Sequence, residues 1–441
     1  MRLKIQTKEK KLFRINPTLF IPTILLCVVG IVALLSTTIT TDGSFGDTSI
    51  VTKQISFILF GFIIYYLLTF LDVSLLRMWQ IGLLIYLFTV ILLVLVLLIG
   101  PVVNNVQRWL VIGGIQIQPS EVAKFTVILT TATVLSYREK YNEWLLFFIS
   151  LLLTLPMVVL IYMQPSGSMS ILTLLIWFFV AFTGLKNQLR NTVSLIVISS
   201  IVLAFFLISV TGNWLFILLA VIGLIIAVFG FYYRESWKIF IISSLVMSVL
   251  LGLFSTIIYT NVLRQYQRDR IEVFINPTEN SQDLGFNVNQ ARIAVGSGQI
   301  WGKGFGNGTQ SKRNFLPEHQ TDFIYASFAE EFGLVGSLFI LLMFGILVTK
   351  GLIVSVNNFD NPFFSMLLIG ITMKILLEVF INIGTNTGAI PATGIPLPLI
   401  SAGGSITVMT LFSLGVIQSI MNASQSKQKK SNIIDNYEFI N

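Results

Sequence analysis

The feature that most limits this chain is a series of apolar runs, each about twenty residues long, recurring from Ile15 to Met421. A helix rises about 1.5 Å per residue, so such a run crosses a hydrocarbon core of about 30 Å. Polar breaks place the runs at 15–37, 50–71, 79–100, 119–137, 144–163, 168–185, 192–211, 213–232, 239–260, 324–349, 363–383 and 403–422. Inside lipid every backbone polar group must be paired within the protein, which leaves helices or a closed barrel. Barrel strands would show alternating polarity over about ten residues, whereas Ile81 to Ile99 is apolar on every face. The expected fold is all-α, a polytopic transmembrane bundle of about 12 spans with one long extracytoplasmic loop.

Charge supports the same reading. Only 11% of residues are charged, against about 25% in a soluble domain, which excludes a soluble enzyme. The net charge of +8 is first a statement about topology rather than about nucleic acid, for which no binding is expected. Arg2, Lys4, Lys8, Lys10, Lys11 and Arg14 precede the first run, and Lys427, Lys429 and Lys430 follow the last. By the positive-inside preference both termini are expected in the cytoplasm, and Arg77, Arg138, Lys140, Lys186, Arg190, Arg234, Lys238 and Lys350 fall on inside loops. The first run is too long for a signal-peptide core and is expected to stay as a span. A lone Cys27 and a lone His319 exclude an intramolecular disulfide and a multi-histidine metal site.

Residues 261–323 form the one long loop, rich in glycine and carrying Arg264, Arg268, Arg270, Arg292, Lys303, Lys312 and Arg313. A loop of this length is functional or disordered. Phe274, Phe286, Ile300, Trp301 and Phe315 argue for its packing onto the bundle, within a single membrane domain over 1–422. The polar tail 423–441 is expected to be disordered.

Ionisable groups inside a membrane are costly and mark candidate sites. Glu121 and Lys124 share a helical face at i and i+3, as do Lys374 and Glu378 at i and i+4, the latter read as a packing pair. Asp322, Glu330 and Glu331 gather near the start of the tenth run, where Asp322 and Glu330 could line one cavity. Gly302-Lys303-Gly304-Phe305-Gly306-Asn307-Gly308 lacks the spacing of a phosphate loop, so its glycines serve tight turns or a close backbone approach. A basic outer loop beside carboxylates at the membrane boundary fits an anionic lipid-linked substrate. An ion-coupled transporter stays open beside it on physical grounds.

Four motifs in order then resemble the SEDS family (shape, elongation, division and sporulation), and the match spans most of the chain. They are Arg108-Trp109-Leu110 with Gln118-Pro119-Ser120-Glu121 and Lys124; Ile293 through Ser311, continuing to Phe315-Leu316-Pro317-Glu318, Thr321-Asp322-Phe323-Ile324 and Glu330-Glu331-Phe332-Gly333; Asn382-Ile383-Gly384; and Pro391 through Pro398, closing with Ser401, Gly403, Gly404 and Ser405. The resemblance implies a peptidoglycan glycosyltransferase of the bacterial cytoplasmic membrane. It would polymerise lipid II into β-1,4 glycan and release undecaprenyl diphosphate, with its active site extracytoplasmic. The family's essential aspartate falls on Asp322, as catalytic base. Arg108, Glu121, Lys124, Glu318 and Glu331 follow as substrate-binding candidates. A divalent cation, magnesium or manganese, could bridge Asp322 or Glu331 to the diphosphate, although no spacing supports a dedicated metal site.

The resemblance also has departures. Gln164-Pro165-Ser166-Gly167 lacks the aspartate usual after Gln-Pro, and Gln320 stands where a histidine is common, with His319 one place earlier. The region 192–260 holds two spans more than the family's usual core of about ten. Gly308-Thr309-Gln310-Ser311 and Phe315-Leu316-Pro317-Glu318 resemble the elongation-type RodA branch more than the division-type FtsW branch. The implied partner is a class B penicillin-binding protein, beside membrane lipid. The competing expectations are a lipid II flippase or transporter, a division-type polymerase and a noncatalytic scaffold.

Overall fold

The computed structural model describes residues 15–39, 44–102, 106–263, 265–275, 284–312 and 318–438. The basic residues Arg2 to Arg14 lie outside the described residues, as do Arg264, Arg313 and the stretch Phe315-Leu316-Pro317. The chain divides into two compact units, one of residues 1–184, 290–387 and 393–441, the other of 185–289 and 388–392.

The first unit begins with α1 (Pro17–Thr37), started by Asn16, whose side chain accepts from the Thr18 amide at 3.0 Å, and by Pro17 at the first helical position. Next come α2 (Ser49–Leu68) and α3 (Trp79–Ile99). A two-stranded hairpin, β1 (Leu110–Ile112) and β2 (Ile115–Ile117), turns on Gly113 and Gly114 with φ of +59° and +81°. Both left-handed positions suit a two-residue hairpin, and glycine fills them without steric cost. The hairpin leads straight into α4 (Pro119–Leu135), followed by α5 (Glu143–Met163) and α6 (Gly167–Thr183).

The second unit holds α7 (Gln188–Thr211), α8 (Ile217–Tyr233), α9 (Lys238–Ile257) and α10 (Gln265–Ile275). Its small core is Val197, Ile201, Ala227 and Ile241. Arg190 lies 3.5 Å over the Phe240 ring and donates to Asn191 Oδ1. The chain re-enters the first unit along α11 (Leu284–Ser297), then forms α12 (Thr309–Lys312), α13 (Ile324–Asn357), α14 (Pro362–Thr387) and α15 (Gly404–Glu438).

Ten of the described helices are long and apolar enough to cross a membrane. With the 17-residue α4 and α6, they match the twelve expected spans to within a few residues at most ends. The chain is a multi-pass membrane protein. Outward-facing leucines such as Leu84, Leu98 and Leu152 are exposed, as lipid-facing positions are. The cysteine Cys27 is buried within α1.

Three expectations need correction. The tail is not irregular, because α15 continues to Glu438. No glycine or proline follows Gly415, and Gln and Lys propagate a helix already nucleated by the span. Secondly, Phe274, Phe286, Ile300 and Trp301 are exposed rather than packed away. Backbone hydrogen bonds, not aromatic burial, hold the glycine-rich part of the loop. Thirdly, α13 is not one uninterrupted span, since its helical geometry breaks at Gly333, with φ +63° and ψ −160°.

That break explains the glycines. The Lys303 and Gly304 amides donate to the carbonyls of Glu330 and Glu331 at 3.0 and 2.9 Å. The Leu334 and Val335 amides donate back to Gln299 and Ile300 at 2.8 and 3.2 Å. Two main chains approach so closely that a Cβ at Gly298, Gly302 or Gly333 would overlap backbone atoms of the facing segment. Loop and broken helix thus complete one another's hydrogen bonding, as buried backbone must.

Candidate active site

Asp322 lies just ahead of α13, one residue before its capping Phe323, and is half-buried. The approach to it is a tight turn: Glu318, exposed and with φ +55°, accepts at its carbonyl from the Thr321 and Phe323 amides at 3.1 and 3.2 Å. The Thr321 hydroxyl also donates to the Glu318 carboxylate at 2.9 Å. Glu318 therefore shapes the turn that presents Asp322.

The surroundings of this turn come from α14 and from the segment joining α14 to α15. Asn382 and Asn386 of α14 each donate from Nδ2 to the Asp322 carbonyl at 2.9 Å. Ser401 donates to the Thr321 carbonyl at 2.6 Å, and the Ala402 amide to the Gln320 carbonyl at 2.9 Å. Gly394, at φ +73°, lies so close that a Cβ there would stand 3.3 Å from Asp322 Oδ2. Gln54 of α2 anchors the same segment, donating to Ser401 O at 3.2 Å and Thr407 Oγ1 at 2.9 Å and accepting from the Gly403 amide at 3.2 Å. The hairpin reaches this end too, where the Gln118 amide donates to Ser405 Oγ at 2.9 Å. Arg108, just ahead of β1 and partly buried, donates from Nη2 to the Pro165 carbonyl.

The remaining sequence candidates sit in two other networks. Glu121 and Lys124 of α4 are fully buried and join Lys374 and Glu378 of α14 in one line of charge. Lys124 Nζ lies 2.7 Å from Glu121 Oε1 and 2.5 Å from Glu378 Oε1, and Lys374 Nζ lies 3.1 Å from Glu378 Oε2. Both expected pairs are present. The bond between them, across 254 residues of sequence, is what spacing along one helix does not reveal. Four alternating charges with no net sum meet the condition under which buried ions are tolerated, each one paired.

The neighbouring carboxylates have separate occupations. Glu330, fully buried, accepts from Lys303 Nζ at 2.6 Å, from the Thr309 amide and hydroxyl at 2.9 and 2.7 Å, and from the Gln310 amide at 3.1 Å. It is committed to holding the loop and does not line a cavity with Asp322. Glu331 accepts from the Ser36 hydroxyl of α1, which in turn accepts from the Gly306 amide at 3.2 Å. Among the described residues no group of three or more His, Cys, Asp or Glu side chains could hold a metal ion. These donors do not by themselves compose a cation site.

Asn386 and Gln54 escaped the sequence reading, and Asn382 and Ser401 had motif positions but no role. Neutral amides in a span are cheap beside ions, so burial cost alone does not single them out. Their signal is position, with Asn382 and Asn386 one turn apart on α14.

The family model for FtsW, RodA and SpoVE, described as a cell cycle protein, matches residues 17–214 and 216–426. The chain belongs to that family. It is 31% identical over 335 residues to the peptidoglycan glycosyltransferase MrdB of Escherichia coli K12, covering 76% of each chain. With the probable peptidoglycan glycosyltransferase FtsW of Bacillus subtilis 168 it shares 31% identity over 436 residues, 96% of this chain and 95% of the relative. Stage V sporulation protein E of the same organism is 30% identical, over 92% of this chain and 97% of that one. A chain from a peptidoglycan synthase complex superposes with a TM-score of 0.66 at 23% identity, covering 93% of this chain and 98% of its own. The Thermus thermophilus rod-shape-determining protein RodA gives 0.56 at 22%, covering 92% and 96%. These two likenesses bear on the fold alone.

Proposed function

We propose that this chain is a peptidoglycan glycosyltransferase that polymerises lipid II, with Asp322 as general base. The Asp322 carboxylate takes the proton from the acceptor GlcNAc 4-hydroxyl as that oxygen attacks the donor's anomeric carbon. The bond from that carbon to undecaprenyl diphosphate breaks, the carbon inverts, and a β-1,4 linkage results. A positioned base of this kind contributes about 10²–10⁴ in rate.

The observation that carries the reading is the support of Asp322. The carbonyls of residues 320, 321 and 322 are each held by groups from α14 or the 391–403 segment. The side chain itself is half-buried where span meets loop, as suits a polar sugar on a lipid anchor. Arg108 is the candidate for the diphosphate, since guanidinium gives charge-assisted bonds to phosphate and stabilises a negative leaving group. Glu318 shapes the turn beside the sugar. Glu121, Lys124 and Glu331 act from inside, setting the arrangement of helices around the site. The active site faces outward, both termini lie in the cytoplasm, and a class B penicillin-binding protein crosslinks the product. The relatives carry both MrdB and FtsW names at equal identity, and the Gly308-Thr309-Gln310-Ser311 motif favours an elongation role.

The test is glycan synthesis by the purified chain, with its transpeptidase present, on labelled lipid II. Wild type is expected to yield glycan ladders, and folded Asp322→Asn to lose at least about a hundredfold in rate. Ladders of equal intensity from Asp322→Asn would refute the base.

A further inference from the structure

We propose that Asn382, Asn386 and Ser401 are positioning residues that set the direction of the Asp322 side chain, an inference that rests on the polymerase reading above. The key observation is how α13 begins. In an ordinary helix the carbonyl of residue 322 would accept from the amide of residue 326. Here the side-chain amide of Asn386 stands between them: its Nδ2 donates to the Asp322 carbonyl at 2.9 Å, and its Oδ1 accepts from the Ala326 amide at 3.0 Å. An amide has both a donor and an acceptor end and so replaces one backbone bond with a two-bond bridge.

The consequence is that Asp322 stays outside the helix. Phe323 occupies the capping position and supplies no side-chain cap, although aspartate, serine, threonine and asparagine are the residues that normally cap a helix for themselves. The cap is borrowed from α14. Asn382 adds a second bond to the same carbonyl at 2.9 Å, and its Nδ2 also donates to Ile395 O at 2.8 Å. That second bond ties in the chain beside Gly394, where a Cβ would stand 3.3 Å from Asp322 Oδ2. Ser401 fixes the preceding carbonyl and accepts from the Leu397 amide at 2.7 Å. All three side chains are buried to 1% exposure or less. The two successive carbonyls of Thr321 and Asp322 are thereby fixed by bonds that do not involve the Asp322 carboxylate, and a reacting group misplaced by about 1 Å loses about 10² in rate.

The test compares Asn382→Ala, Asn386→Ala and Ser401→Ala with Ser355→Ala. Ser355 links the same two helices elsewhere, through Ser365, at 3.0 and 3.1 Å. Polymerase kinetics on lipid II and thermal unfolding in detergent are measured for each, with the transpeptidase present. The clamp variants are expected to lose about tenfold or more in kcat with KM for lipid II little changed, and to move the acid limb of the kcat–pH profile. Ser355→Ala should keep both, and Ser401→Thr should recover more activity than Ser401→Ala. Wild-type kcat in the clamp variants overturns the inference, as does a loss that only tracks the folded fraction and leaves the pH profile in place. Asp322→Asn in the same assay separates the two claims. If Asp322→Asn is inactive and the clamp variants are normal, only the positioning role falls. If Asp322→Asn is fully active, the reading of the site falls, and the positioning role with it.

Discussion

At the scale of single residues, one constraint on Asp322 comes from a position with no side chain. Gly394 holds a left-handed φ of +73°, and a methyl group there would stand 3.3 Å from Asp322 Oδ2. An L-residue in that conformation costs about 1–2 kcal/mol, and the new contact is tighter than a carboxylate accepts without moving. Gly394→Ala is therefore expected to remain folded with a slightly lower unfolding temperature while kcat falls between about tenfold and a hundredfold. Parallel thermal unfolding and lipid II polymerisation would check this, and unchanged kcat would show that the Oδ2 side of the carboxylate does not face the reaction. The place of Asp322 beside an apolar run was legible in the sequence, whereas its role as base was implied by the family resemblance alone. Its support was not legible, because amides and hydroxyls inside spans are common and only geometry shows which carbonyl each one meets.

At the scale of elements, the twelve spans were legible because lipid demands long apolar runs, and their ends are marked by prolines, polar caps and charges. What the runs conceal is a change of backbone inside one of them. Gly333 interrupts α13 just after Glu330 and Glu331, and nothing in a hydropathy pattern separates such a glycine from one that merely packs. The two Glu–Lys pairs were likewise legible by helical spacing, but not the bond that joins α4 to α14. That bond predicts an asymmetry. Lys124→Ala strands both Glu121 and Glu378 Oε1 in the core and is expected to cost about 3–5 kcal/mol, read as a large fall in unfolding temperature. Glu121→Gln leaves Lys124 paired with Glu378 and removes a carboxylate whose Oε2 has no partner among the described residues, so its cost should be much smaller. Equal losses from the two substitutions would argue against a structural role for this line of charge.

At the scale of the whole molecule, orientation is the property to test, since it decides which compartment supplies the substrate. Cys27 is the sole cysteine, so a Cys27→Ser background permits single-site labelling. Trp301 and Tyr141 are 80% and 60% exposed, the first in the loop ahead of α13 and the second between α4 and α5. An impermeant maleimide applied to intact cells should label Trp301→Cys and leave Tyr141→Cys unlabelled until the membrane is opened, and the reverse pattern would invert the proposed topology. The break at Gly333 has a bearing on how such a chain is made. Left unpaired, its carbonyls at Glu330 and Glu331 would be costly in hydrocarbon, yet the amides that satisfy them, at Lys303 and Gly304, come earlier in the chain. On the proposed topology the donors would cross the bilayer during synthesis before the acceptors enter it. With that orientation the faulted helix would meet its complement as it is inserted, and no later rearrangement within the lipid would be required of it.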